Sequence, residues 1–368
     1  MKRIGRRARA VTMLLAVVLA STWVACEPRG AVVLGIATSP PYLDAARLAI
    51  EDALAEGPVP GLDTLFIPQG HNLASPAIDA ARRLVEAPGL VAVIGHSNSA
   101  ASIATAPIYN AHRVVQIAPT ASATLYSEAG PYSFRLVPPD DEQGRFLAQH
   151  LHEVLPDGGR LAVAYVNDDY GRGLRASLLA ALDTTRHRVV QELPHIEEAV
   201  GDADAAYTAD VLATAQPDVI VWLARGNALA RVITAIRARL PDVPVVGGDG
   251  LGTGQVREMP ASALGDVRYV AYLDLAATEP LRRFVRAYRD RFGRDATESD
   301  ALTYDAVRLA IAGMRAGART GPALRAYLAS LGRSSPAFPG IAGLVAFDEE
   351  GDVGRLYVLV RAPSRDGR

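Results

Sequence analysis

The chain has 368 residues, 49% of them hydrophobic and 21% charged with both signs present. That composition excludes wholesale disorder, and the length favours two domains over one. The formal charge is −2; residues 1–26 hold five of the 38 Lys and Arg residues and no acid, so the remainder has 33 basic against 40 acidic residues, a net −7, which argues against nucleic acid as a partner.

Lys2, Arg3, Arg6, Arg7 and Arg9 form a basic head, followed by an apolar run from Val11 to Ala20 and then Ser21-Thr22-Trp23-Val24-Ala25-Cys26. This is the plan of a secretory signal peptide. The run is shorter than the roughly 20 residues of a membrane span. Cys26 is the only cysteine. It stands where a lipoprotein signal places its lipidated residue, and it has no disulfide partner in the chain. Lipidation at Cys26 and an exported, envelope or periplasmic location are therefore expected, although Trp23 replaces the small or aliphatic residue usual three positions earlier. Lys2 is the only lysine, so beyond the signal neither a Schiff-base lysine nor a phosphate-loop lysine is available.

From Ala31 onward, β-branched runs alternate with helical-period segments. Strands are predicted at 31–37, 63–67, 91–95 and 114–117, with helices at 42–56, 74–87 and 100–110. Continuous apolar strands separated by helices imply a parallel sheet covered on both faces. Phe134 to Asp141 contains Pro138-Pro139 and is read as an extended crossover, with Asp140 or Asp141 capping a helix to Val154. The alternation restarts with strands at 161–166, 188–193, 219–223 and 243–247 and helices at 171–182, 202–214 and 228–238. A strand at 267–273, helices at 279–292, 300–315 and 322–331, and late strands at 343–347 and 356–360 complete the pattern. The expected fold is α/β, with two doubly wound parallel-sheet lobes joined by a multi-crossover hinge. Lobe one takes residues 31–135 and 274–336; lobe two takes 136–273 and 337–363.

Ligands in open α/β sheets meet the carboxyl ends of strands. Four loops lie at such ends: Gly95-His96-Ser97-Asn98-Ser99, Pro119-Thr120-Ala121-Ser122, Asn167-Asp168-Asp169-Tyr170-Gly171 and Gly248-Asp249-Gly250. Hydroxyls and N–H groups at helix starts favour a carboxylate, and an aspartate favours an ammonium. Jointly the loops suit a small zwitterion. Taken singly, Ser99 reads equally well as a helix cap and Asp249 as a turn residue.

At these residues the sequence resembles the periplasmic leucine/isoleucine/valine-binding proteins, the type I solute-binding components of ABC importers. The likeness runs from about Val32 to Val360. It includes Val93-Ile94-Gly95-His96 with Ser99, Ile117 to Ser122, Phe134-Arg135, Asp141 to Gly144, Asp169 to Leu174, and Gly343 to Asp352. The resemblance implies that Ser99 and backbone N–H groups of the second loop, including Ala121, hold a ligand carboxylate. Thr120 and Ser122 share carboxylate and ammonium, Asp249 pairs with the ammonium, and Tyr170 closes over the ligand. Tyr42 reaches the pocket from a shortened first loop. Arg225, where an aromatic is common, favours a more acidic or polar ligand, and Gln69-Gly70-His71-Asn72 replaces a usual aspartate. The implied partners are a small amino-acid-like ligand, a membrane ABC permease and a lipid anchor.

No enzyme, cofactor or metal is expected. One rival is a ligand sensor feeding a receptor. A remoter one is a serine hydrolase using Ser97, but Gly95 to Ser99 ends in serine rather than glycine and no histidine follows His195. The glycine run 247–254 fits no dinucleotide register. His150 and His152 diverge on a helix, which leaves no metal pair.

Overall fold

The computed structural model describes residues 31–69, 74–195, 201–354 and 357–362. The expected signal segment and Cys26 lie outside these residues, as do Gly70, His71 and Asn72.

Strand β1 (Val32–Ala37) is buried along its whole length. It lies between β2 (Leu62–Phe66) and β3 (Leu90–Gly95), and the sheet continues through β4 (Val115–Ala118) to β5 (Ser133–Arg135). The strand order is β2-β1-β3-β4-β5 and every pairing is parallel. Such a sheet must be covered on both faces. Helices α1 (Pro40–Glu56), α2 (Ala74–Val85) and α3 (Ser99–Ala111) are its crossovers. Helix α1 starts two residues before the expected Tyr42, because Pro40 and Pro41 occupy its first turn, where a missing N–H costs nothing.

Strand β5 was expected to be irregular crossover. Three residues before tandem prolines are too few to show a period, yet Gln116 to Ala118 pair with Ser133 to Arg135. The chain then enters α4 (Asp140–Val154). Pro139 holds the N-cap position with no side-chain cap, and Asp140 is the first helical residue. The expected aspartate cap is thus replaced by acidic residues within the first turn, which favour the positive helix end.

The second sheet contains β6 (Arg160–Val166), β7 (Arg188–His195), β8 (Val219–Leu223), β9 (Val245–Gly247), β10 (Val267–Ala271) and, after a long excursion, β13 (Val358–Arg361). Its order is β13-β10-β9-β8-β6-β7, with only β13 antiparallel. Helices α5 (Asp169–Ala181), α6 (Asp202–Ala215) and α7 (Gly226–Arg239) connect its strands, with a short α8 (Ala261–Leu264) before β10. Trp222 on β8 is 1% exposed in the middle of this second core.

After β10 the chain returns to the first core through α9 (Glu279–Phe292), α10 (Glu298–Arg315) and α11 (Gly321–Ser330). Helix α10 buries almost its whole surface. The hairpin β11 (Phe338–Gly340) and β12 (Gly343–Val345) follows. Residues 337–353 were expected in lobe two, but Val345, Phe347 and Val353 are buried in the first core. Phe347 meets Phe134 edge-on at 5.0 Å, and the Arg135 N–H donates to the Gly351 carbonyl at 3.0 Å. These contacts hold the segment against lobe one, so only β13 crosses over. The chain therefore passes between the two cores three times, and the carboxyl ends of both parallel sheets border one cleft.

Candidate functional site

The cleft has a volume of about 450 Å³. Ser97, Ser99, Thr120 and Ser122 line it from the first sheet, and Tyr170, Arg225 and Asp249 from the second. Tyr42 lines it at the start of α1. Four expected loops thus open on one space. Ala121 is the exception: it is fully buried, stands off the cleft wall, and offers its carbonyl to Arg135.

The first wall is built by a close approach of backbones. Gly95 ends β3 with φ +140°, and a Cβ there would sit 2.1 Å from the Ala37 carbonyl oxygen. Only glycine fits such a conformation and contact. Beyond it, the Asn98 side chain, rather than Ser99, caps α3 by accepting from the Ala101 N–H at 2.9 Å. Ser99 Oγ accepts from the Ala123 N–H at 3.1 Å, which ties the first loop to the second. Ser97 Oγ accepts from the Ser39 N–H at 2.6 Å and lies 2.9 Å from the Thr38 hydroxyl. His96 turns away into the core, where its ring nitrogens meet Gln69 at 3.0 Å and Tyr109 at 3.1 Å. Burial lowers its pKa to about 3. This histidine is a neutral packing group, and its ring nitrogens are engaged away from the Ser97 hydroxyl.

Arg135 supports the second loop from below. Its guanidinium donates to the carbonyls of Ala121, Ser122 and Ala123 at 3.3, 3.1 and 2.9 Å. Asp352 receives Nε at 2.6 Å and Nη2 at 2.8 Å, and Ser127 bonds to both residues. The arginine is fully buried, and its donors are matched by carbonyl and carboxylate oxygens, as burial of a guanidinium requires.

The second wall centres on Asp249. Its Oδ1 accepts from Gln143 Nε2 at 2.9 Å and from the Tyr170 hydroxyl at 3.0 Å. The Tyr170 hydroxyl accepts in turn from the Gly250 N–H at 3.1 Å, and Gln143 Oε1 from the Asp249 N–H at 2.9 Å. Burial pushes the Asp249 carboxyl up despite these bonds. Asp140, fully buried nearby, is pushed well up by burial and by the Asp249 charge.

Arg225 also lines the cleft, but its charge is spoken for. Both terminal nitrogens donate to Asp168 Oδ2 at 3.0 Å, and the guanidinium lies 5.5 Å from the Tyr170 ring centroid. Asp168 meanwhile caps α5 through the Gly171 N–H at 2.9 Å. Arg225 braces the tyrosine loop, which weakens the expectation that it selects an acidic ligand.

A third group of wall residues escaped the sequence reading. Thr297, Glu298, Ser299 and Asp300 open α10 onto the cleft, joined by Tyr272, Arg257 and Arg294. Thr297 and Asp300 form a reciprocal capping box, a signal visible in the sequence. That signal marks a helix start; nothing local says which space the start faces. Glu298 Oε1 accepts from the Tyr269 hydroxyl at 3.0 Å, and Oε2 from the Tyr272 N–H at 2.9 Å. Burial raises its pKa to about 7.

Comparison with known proteins agrees with this architecture. Residues 34–366 match the periplasmic binding protein family model. The Leu/Ile/Val-binding protein homolog 1 of Brucella abortus is 23% identical over 314 residues, 83% of this chain and 81% of that protein. An ABC transporter substrate-binding protein from Desulfitobacterium hafniense, solved in complex with Leu, superposes with a TM-score of 0.74 at 23% identity, covering 92% of this chain and 98% of that one. A solute-binding protein of an R. palustris ABC transporter, in complex with benzoate, gives a TM-score of 0.76 at 16% identity, covering 90% and 93%. With its two sheets, three crossovers and shared cleft, the chain belongs to the periplasmic binding protein family.

Proposed function

We propose that the protein is an extracytoplasmic solute-binding protein. It captures a small amino acid or amino-acid-like ligand by closing its lobes, and it serves an ABC importer. The observation that carries this reading is the meeting of the serine turn and Asp249 across one cleft. The turn supplies hydroxyls and the N-terminal end of the 13-residue helix α3, a setting that favours a carboxylate. Gln143 and Tyr170 both bond to Oδ1 of Asp249, and the ligand ammonium is assigned to its other oxygen. Leucine and benzoate, held by the two relatives above, both carry a carboxylate, which supports that half of the site.

Closure and binding are coupled in this scheme, because charge-assisted hydrogen bonds strengthen as water leaves. Export and lipid anchoring at Cys26 are part of the same reading and rest on the N-terminal sequence. The test is a calorimetric titration of the purified protein with the twenty L-amino acids and with small carboxylates lacking an amine. Saturable binding of at least one amino acid, lost in its decarboxylated analogue, is the expected result. Binding that ignores the carboxylate would overturn the proposal.

A further inference from the structure

Building on the proposed amino-acid site, we infer that the ligand's side chain carries N–H donors, in an amide, ammonium or guanidinium group, and that Glu298 is the residue that selects it. Two observations meet here. The first is the composition of the wall. The residues lining the cleft include no Val, Leu, Ile, Met, Phe or Trp; Pro41 and three tyrosines are their largest apolar surfaces. A branched aliphatic side chain gains its binding energy from apolar contact, which here comes only from tyrosine rings, a proline and the carbon atoms of polar side chains. A donor-bearing side chain finds oxygen acceptors as well.

The second is the distribution of charge. Arg225 is matched by Asp168, and Arg294 by Asp44 at 3.2 Å and Asp300 at 3.6 Å. Among the described residues, Glu298 and Asp249 have no ion-pair partner within 4.0 Å. Their hydrogen bonds come from neutral donors: Tyr269 and the Tyr272 N–H for Glu298, and Gln143, Tyr170 and the Tyr272 hydroxyl for Asp249. The proposed α-ammonium occupies one of the two carboxylates, and the other remains. Each Glu298 oxygen accepts a single bond, so each retains a lone pair for a further donor. Arg257 lines the same region and draws the Glu298 carboxyl down, but by less than burial raises it.

The test is isothermal titration of the purified protein with arginine, lysine and glutamine against leucine, isoleucine and valine, repeated on Glu298→Gln. That variant keeps an acceptor for the Tyr272 N–H and presents its amide donor to the Tyr269 oxygen, so its thermal melt serves as a folding control. At least one donor-bearing amino acid should bind about tenfold or more tightly than any aliphatic one, the scale of a single charged hydrogen bond. Glu298→Gln should weaken arginine or lysine by about tenfold while changing glutamine less than threefold. If the cationic pair gains nothing and glutamine alone binds, the amide arm of the inference stands. Tightest binding of leucine, isoleucine or valine, or an equal effect of Glu298→Gln on every ligand, overturns it. In that case, loss of leucine binding in Asp249→Asn would leave the amino-acid reading intact. No binding of any amino acid overturns both.

Discussion

Arg135 and Asp352 lie 217 residues apart in the chain and form a two-bond ion pair, at 2.6 and 2.8 Å, beneath the cleft. The arginine ends β5 just before the first crossover, and the aspartate precedes the third. The same guanidinium holds three carbonyls of the loop that bears Ser122. One side chain thus joins the hinge to the ligand wall. Removing one member of a buried pair leaves a desolvated charge, typically at a cost of about 3–5 kcal/mol. Asp352→Ala should lower unfolding stability by about that amount in urea denaturation. Replacing both residues, as in Arg135→Met with Asp352→Leu, should cost less than the sum of the two single changes. Strict additivity would show that the pair does not act as a unit.

Asp249 and Ser99 line the cleft from different lobes, and the loss of either should weaken binding. Asp249→Asn keeps a side-chain oxygen for Gln143 but removes the charge offered to the ligand, and should weaken binding by about 1.5–3 kcal/mol. Ser99→Ala removes a hydroxyl from the carboxylate side and orphans the Ala123 N–H, with a similar loss. Calorimetry at fixed pH measures both. Unchanged affinity in both variants would remove the site assignment.

Much of this arrangement was legible before the fold was seen. Val32 to Ala37 and Val219 to Leu223 are unbroken apolar runs between amphipathic helices, and that pattern admits little besides a covered parallel sheet. The loops at strand ends followed from it, because carboxyl ends face the cleft in such sheets. What escaped was non-local. Glu298 sits between a threonine cap and a long helix, and its sequence neighbours do not say that Tyr269 and Tyr272 will approach it. The return of Gly343 to Val353 to the first core depends on Phe134 and Arg135, some two hundred residues earlier. Arg225 looked like a cation for the ligand until Asp168 was found against it.

Gly171 offers a test of how tightly the tyrosine loop is built. It follows Tyr170 directly, and a Cβ there would lie 2.0 Å from the Val166 carbonyl oxygen. Backbone cannot yield as a flexible side chain can. Gly171→Ala should displace the start of α5, cost about 1–3 kcal/mol of stability, and carry Tyr170 away from Asp249. Thermal unfolding and ligand titration on the same variant should show both losses. Gly173, two residues on, has open space around its missing Cβ; Gly173→Ala should leave stability unchanged or slightly raised.

Glu298 supplies a pH signature. Its carboxyl titrates near 7 in the folded protein because burial disfavours the charge, whereas an unfolded glutamate titrates near 4.3. Between these values the native state binds the proton and the unfolded state does not, so stability falls as pH rises through this window and is regained on acidification. The carboxylate borders the cleft and is partly screened there, so the change is on the order of 1–3 kcal/mol between pH 5 and 7.5. Asp249 and Asp140 are also raised by burial and act in the same direction, so the native protein alone does not isolate the glutamate. The difference between native protein and Glu298→Gln does, because the amide does not titrate. The urea midpoint should be lower at pH 7.5 than at pH 5 in the native protein and, apart from the aspartates' share, nearly level in the variant. Parallel pH profiles for the two proteins would mean that Glu298 is ionised throughout. Its two neutral donors would then hold the charge more firmly than its burial opposes it.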